Sequence, residues 1–91
     1  MAFKTYFNEV QTSATGANWV TLPNIGLSRV TIWNSSNVTI EVRRADDTSK
    51  VLPLLAYTAL ELSDENANKY EIRRQDQNNT QVTIPLVVEK S

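Results

Sequence analysis

Apolar and polar side chains alternate along most of this chain, and a period of two belongs to strands that keep one face in a core and the other in water. Across residues 38–43, Val38, Ile40 and Val42 fall on one face, with Thr39, Glu41 and Arg43 on the other. The same alternation recurs at residues 28–33, 69–73 and 81–88, in runs crowded with β-branched and aromatic residues. Residues 3–10, 18–22, 51–54 and 58–62 read as weaker strands. Between the runs lie Thr15-Gly16-Ala17-Asn18, Pro23-Asn24-Ile25-Gly26, Asn34-Ser35-Ser36-Asn37, Asp46-Asp47-Thr48-Ser49, Ser63-Asp64-Glu65-Asn66 and Asp76-Gln77-Asn78-Asn79. Such residues accept turn dihedrals or bond back to their own backbone. No stretch keeps a helical period over three turns, and residues 63–67 offer at most one helical turn. The pattern predicts an all-β chain: an antiparallel β-sandwich of seven or eight short strands, Ig-like or jelly-roll-like. Val30, Ile32, Val38, Ile40, Val42, Leu52, Leu62, Ile72, Val82 and Ile84 form its expected core.

With 91 residues the chain is one domain, 1–91, within which residues 1–12 form an N-terminal arm available for docking. Neither Cys nor His occurs, so disulfide scaffolds, Cys/His zinc sites and His-based catalysis are excluded. Nine Lys and Arg against ten Asp and Glu leave a net charge of -1, which supplies no basic field for nucleic acid or anionic lipid. The apolar runs are too short to span a membrane as a helix, and the alternating first ten residues are not a signal peptide. Asp46-Asp47 and Asp64-Glu65 read as solvated turn carboxylates outside any EF-hand spacing, and two glycines cannot build a phosphate-cradling loop. We therefore expect no enzyme, no catalytic or metal site and no cofactor.

Two segments echo each other. Glu41-Val42-Arg43-Arg44-Ala45-Asp46 and Glu71-Ile72-Arg73-Arg74-Gln75-Asp76 both run acidic, β-branched, Arg-Arg, any residue, Asp. Paired strands ending in matching Arg and Asp positions would let each guanidinium fork meet a carboxylate. Pro85 interrupts the last strand, and because proline donates nothing to a ladder, an edge or bulge is expected there, with residues 89–91 as a free tail. The aromatic residues supply the candidate binding surface. Trp33 falls with Arg29 on the face opposite Val30 and Ile32, Trp19 follows the Gly16 turn, and Phe3, Tyr6 and Phe7 crowd the arm. Aromatic and Arg side chains are enriched at interface anchors.

In order along the chain, Val30-Thr31-Ile32-Trp33-Asn34, Ile40-Glu41-Val42-Arg43-Arg44, Asn66-Ala67, Arg73-Arg74-Gln75-Asp76 and Thr80-Gln81-Val82-Thr83 resemble small all-β virion proteins of tailed bacteriophages over roughly residues 17–85. In the middle loops, where that family often carries Gly or Ser, this chain has Leu54-Leu55-Ala56-Tyr57. The resemblance implies a protein made in the host cytoplasm and carried in the virion. Its most direct reading is a capsid decoration or cement protein that binds the major capsid protein or other virion proteins and forms homo-oligomers. Three alternatives stand beside it: a tail, neck or fibre component, a carbohydrate-binding module stacking sugars on Trp19, Trp33 and Tyr57, and a small enzyme accessory or inhibitor domain.

Overall fold

The computed structural model describes residues 4–90; Phe3 lies outside them. Eight strands follow one another: β1 (Lys4–Gln11), β2 (Val20–Thr21), β3 (Leu27–Asn34), β4 (Ile40–Arg44), β5 (Asp47–Leu54), β6 (Thr58–Asn66), β7 (Tyr70–Arg74) and β8 (Thr83–Lys90). They form two antiparallel four-stranded sheets, β1-β8-β3-β6 and β2-β7-β4-β5. The pairs β4–β5, β3–β6, β2–β7 and β1–β8 nest, each enclosing the one before, as in one long hairpin rolled over on itself. This is the jelly-roll arrangement. An Ig-like order would set the first strand beside the second in one sheet, whereas here they lie in different sheets.

The alternation governs which residues are buried. Along β3, Ser28, Val30, Ile32 and Asn34 turn inward, while Leu27, Arg29 and Trp33 are exposed. Of the expected core, Val30, Ile32, Ile40, Val42, Leu62, Ile72 and Ile84 are buried, and Val38 and Val82 are partly buried against them. Leu22, Leu54, Ala67, Leu86 and Val88 complete the cluster. Leu52 departs from the expectation at 47% exposed. It stands opposite buried Val42 and so has the inward parity, but β5 is the outermost strand of its sheet and leaves the side chain open at the rim.

Pro85 does not mark an edge, because β8 is a central strand between β1 and β3. The Thr12 N–H donates to the Val82 carbonyl, so even-numbered residues of β8 bond toward β1 and odd-numbered ones toward β3. The imide nitrogen of Pro85 therefore faces β3, and the β3–β8 ladder stops one residue away, at Ile32–Leu86. The Trp33 carbonyl, which a donor at position 85 would have met, accepts from the Ser35 N–H instead. Glu89 pairs with both Thr5 and Arg29, so the expected free tail is paired on both sides as far as Glu89. The other proline inside a strand, Pro53, does sit on an edge. Thr39 and Ala45 bond toward β7, which turns even-numbered residues of β4 toward β5 and leaves the Pro53 nitrogen facing the open side.

Two expected turns are resolved differently. Residues 63–66 continue β6 through a bulge beside Arg29, where Asp64 adopts a left-handed φ of 56°. The single helical turn comes later, as a 3-10 turn over Ala67–Lys69 capped by the Asn66 side chain. Asp47 belongs to β5, which leaves Ala45 and Asp46 as the turn. At the far end, buried Gly16 lies so close to the 77–79 loop that a Cβ would fall 2.1 Å from the Asn78 carbonyl oxygen. Glycine is required there for the close approach.

Candidate functional site

The two echoed segments lie side by side. Val42 stands opposite Ile72, Glu41 opposite Arg73, and Arg43 opposite Glu71, so a local two-fold relates β4 to β7. The first Arg of each copy points outward and pairs with the Glu of the other copy. Arg73 meets Glu41 at 2.9 Å, and Arg43 bonds Glu71. Trp19 covers this square: its ring centroid lies 3.9 Å from the Arg43 guanidinium carbon and 4.5 Å from that of Arg73. Two guanidinium groups stacked on an indole hold that ring in place, which makes Trp19 part of the outer covering of the β2-β7-β4-β5 sheet.

The second Arg of each copy has inward parity and closes an end of the core. Arg74 grips Asp76 with two bonds of 2.9 and 2.7 Å and donates to the Thr80 carbonyl, ordering the loop into β8. Arg44 forks onto Asp46 and donates to Glu65 at 2.7 Å, and the Tyr70 hydroxyl donates to the other oxygen of Glu65. Arg44 and Tyr70 lie in one sheet and Glu65 in the other, so this group staples the two layers. The forked Arg–Asp pairing expected from the echo thus forms within each copy, and the pairing between copies is Arg–Glu.

These contacts set the pH response. Arg44 holds Asp46 below the usual carboxylate range, Arg74 and then the Asn78 N–H do the same for Asp76, and the Tyr70 hydroxyl followed by Arg44 does so for Glu65. Burial, then Glu65, pushes the Tyr70 hydroxyl up. Carboxylates depressed on folding add stability above their unfolded pKa, about 4, and lose it as pH falls through the folded values. The Tyr70 contribution is present below its unfolded pKa and is lost as pH rises through the elevated folded value. The urea midpoint is expected to hold between about pH 5 and 8 and to fall below about pH 4. Glu65→Gln should flatten part of that fall, and a midpoint unchanged down to about pH 2 would mean these pairs form equally in the unfolded chain.

The remaining aromatic candidates divide by parity. Phe7, Arg29 and Trp33 share the outer face of β1-β8-β3-β6. Phe7 stands opposite Val87, Val87 opposite Thr31, and Thr31 opposite Glu61. Trp33 lies one position along the strand from Ile32 and opposite Ala59. Phe7 is 83% and Trp33 46% exposed. Arg29 reaches Glu61 at 3.4 Å with both side chains about half exposed, a pair worth about 0–1 kcal/mol. Tyr6 has inward parity on an edge strand and lines an open cleft with Asn8, Asn24, Ile25 and Lys90. The structure therefore joins three of the five described candidates on one face, puts Tyr6 at its rim and sets Trp19 on the opposite side of the sandwich. Tyr57 sits in the β5–β6 turn with a left-handed φ of 61°. With Trp19 and Trp33 on opposite outer faces, the two indoles and Tyr57 cannot make one sugar-stacking platform.

No family model, curated protein or solved structure matches this chain. Among the described residues, no three His, Cys, Asp or Glu side chains gather as a metal site, and no helix is long and apolar enough to cross a membrane. Asp46 and Glu65 are taken up by Arg44 and Tyr70, and Asp47 accepts from the Ser49 hydroxyl.

Asn34 was legible only as a turn residue. It is buried, its amide donates to the Val38, Leu54 and Leu55 carbonyls, and its oxygen accepts from the Ser36 N–H and hydroxyl. The parity of β3, with Asn34 two positions beyond Ile32, was the available signal.

Proposed function

We propose that this chain is a structural protein of a tailed-bacteriophage virion, a decoration or cement protein that attaches to the assembled head shell through the outer face of β1-β8-β3-β6. It carries out no reaction and requires no cofactor, nucleic acid or membrane. Its partner is the major capsid protein or a neighbouring virion protein, and it works as a homo-oligomer. The observation that carries the reading is the state of that face. The other sheet covers its outer surface with a closed square of ion pairs under Trp19, whereas here Phe7 and Trp33 stand open to solvent. Exposed aromatic groups beside a weakly held Arg suit a protein-binding surface. The ordered motifs from Val30-Thr31-Ile32 to Thr80-Gln81-Val82-Thr83 give the virion its place in the proposal. The jelly roll is used by viral capsid proteins but also by lectins and cupins, so it agrees with the reading without selecting it.

Co-sedimentation with phage heads that lack the protein tests this. The wild-type chain is expected to pellet with the particles in a saturable number of copies. Trp33→Ala should weaken binding by about 30-fold or more, roughly 2 kcal/mol, with a melting temperature within a few degrees of wild type. Binding that ignores Trp33→Ala while the domain stays folded would move the interface elsewhere, and a chain that pellets with no particle would remove the virion reading.

A further inference from the structure

The jelly roll leaves four strands at sheet edges, β1, β6, β2 and β5, and three of them are blunted. β2 has only two residues, β5 turns Pro53 to its open side, and β6 carries the Asp64 bulge among acidic side chains. Charge, proline and bulges are the usual means of stopping an edge from pairing. β1 has neither bulge nor proline. It runs in unbroken register with β8 from Lys4 to Gln11, and only Lys4 and Glu9 are charged. Its even-numbered residues bond toward β8, so the backbone groups of Thr5, Phe7, Glu9 and Gln11 face outward. The Glu9 N–H is capped by the Asn8 side chain at 2.8 Å, which leaves the stretch around Phe7 as the open part.

We infer that β1 is a self-pairing edge, through which two copies of this chain join antiparallel about a two-fold axis at Phe7 into one continuous eight-stranded sheet. Outward-facing residues must pair with outward-facing residues, so only registers with an even residue sum are allowed. Centring on Tyr6 opposes Phe7 to Thr5, with no aromatic pair on the outer face. Centring on Asn8 opposes Phe7 to Glu9 and Thr5 to Gln11, with no aromatic pair on the outer face. Centring on Phe7 pairs the two Phe7 rings on the outer face and sets Lys4 against Val10 and Thr5 against Glu9, where the Asn8 side chain releases the Glu9 N–H to the partner strand. No like charges meet, and the aromatic pair adds its own attraction.

The inner side of the edge selects the same occupant. Tyr6 of one copy stands opposite Asn8 of the other, at an open cleft of about 540 Å³ that Tyr6 and Asn8 line together with Phe7, Val88, Asn24, Ile25 and Lys90. A second β1 brings its own half-exposed Tyr6 to that cleft, so both aromatic side chains of the strand gain cover from an identical strand. The eight residues of β1 are few against the roughly 20–30 residues a side of a standard interface. The dimer is therefore weak in dilute solution and fills when copies are held close together. This inference deepens the homo-oligomer part of the reading above and does not need the virion.

Because the chain lacks cysteine, single cysteines report the register directly. Phe7→Cys is expected to form disulfide dimers about tenfold or more faster than Lys50→Cys, an exposed control on β5. Thr5→Cys and Glu9→Cys should each be slow alone and fast when mixed. In sedimentation equilibrium up to about 1 mM, the wild-type chain should show a dimer that Phe7→Pro abolishes while remaining folded, since the nitrogen at position 7 faces away from β8. Equal cross-linking rates at all four positions would overturn the inference. So would a chain that stays monomeric at every concentration, which would leave a strand of another protein as the occupant of β1. Failed cross-linking with Trp33-dependent particle binding intact would remove this edge and spare the attachment face; register-specific cross-linking without particle binding would do the reverse.

Discussion

Asn34→Ala is expected to destabilise the domain by about 3–5 kcal/mol. The amide removed supplies donors to the carbonyls of Val38, Leu54 and Leu55, and its oxygen anchors Ser36. Alanine can replace none of these bonds, and each buried group left without a partner costs roughly 1–3 kcal/mol. The three carbonyls belong to the β3–β4 loop and to the end of β5, so one side chain at the end of β3 ties its sheet to the end of the β4–β5 ladder in the other. For a domain of this size about 1 kcal/mol moves the melting temperature by 4–8 °C, and a fall of 12 °C or more is expected. Asn34→Asp separates the two halves of the role: it keeps the acceptor for Ser36 but loses the donors and sets a carboxylate against three carbonyls. Its defect should be at least as large at pH 7 and ease toward about pH 4, where the carboxyl protonates. An unfolding free energy from guanidinium titration within about 1 kcal/mol of wild type for Asn34→Ala would show that water reaches those carbonyls.

Ile40→Ala is expected to cost about 2–5 kcal/mol. Ile40 is fully buried, opposite Leu54 on one side and Arg74 on the other, so the cavity would open inside the β2-β7-β4-β5 sheet under the loop that Arg74 orders. Leu52→Ala is the matched comparison. Both residues are aliphatic and have inward parity, yet the half-exposed Leu52 should cost less than about 1 kcal/mol. Equal losses measured by denaturant titration at unchanged m would mean the rim at β5 closes in solution.

That comparison marks how far the sequence could be read. Alternation assigns a residue to a face, and for Val30, Ile32, Ile40, Val42, Ile72 and Trp33 that was enough. It carries no information on lateral position in a sheet, so Leu52 at the rim and Ile40 in the middle look alike. Leu22 escaped because it lies just past β2, a strand of two residues, too short to show a period. Pro85 reads as an edge mark only if the neighbour its nitrogen faces needs an N–H; here the Trp33 carbonyl opposite it takes the Ser35 N–H instead. The echo of Glu41–Asp46 in Glu71–Asp76 was visible as a repeat, and the fork onto Asp46 or Asp76 follows from spacing alone. That the two repeats face each other depends on a pairing across thirty residues, which local patterns do not encode. The same nonlocality hid the candidate face: Phe7 and Trp33 share it because β8 inserts between their strands.

The pairing of Lys4 with Lys90 brings the two ends of the described chain to one corner of the sheet. Tension applied between those ends would act on the first rung of β1–β8 alone, then on the next, parting the strands like a zip. Strands loaded at opposite ends resist together; these would yield one rung at a time and at low force. A pulling experiment would register this as a low, extended plateau, and a single sharp rupture would contradict the geometry. Load entering through the broad outer face is shared across strands, so a protein of this build bears stress by its flank and not by its ends.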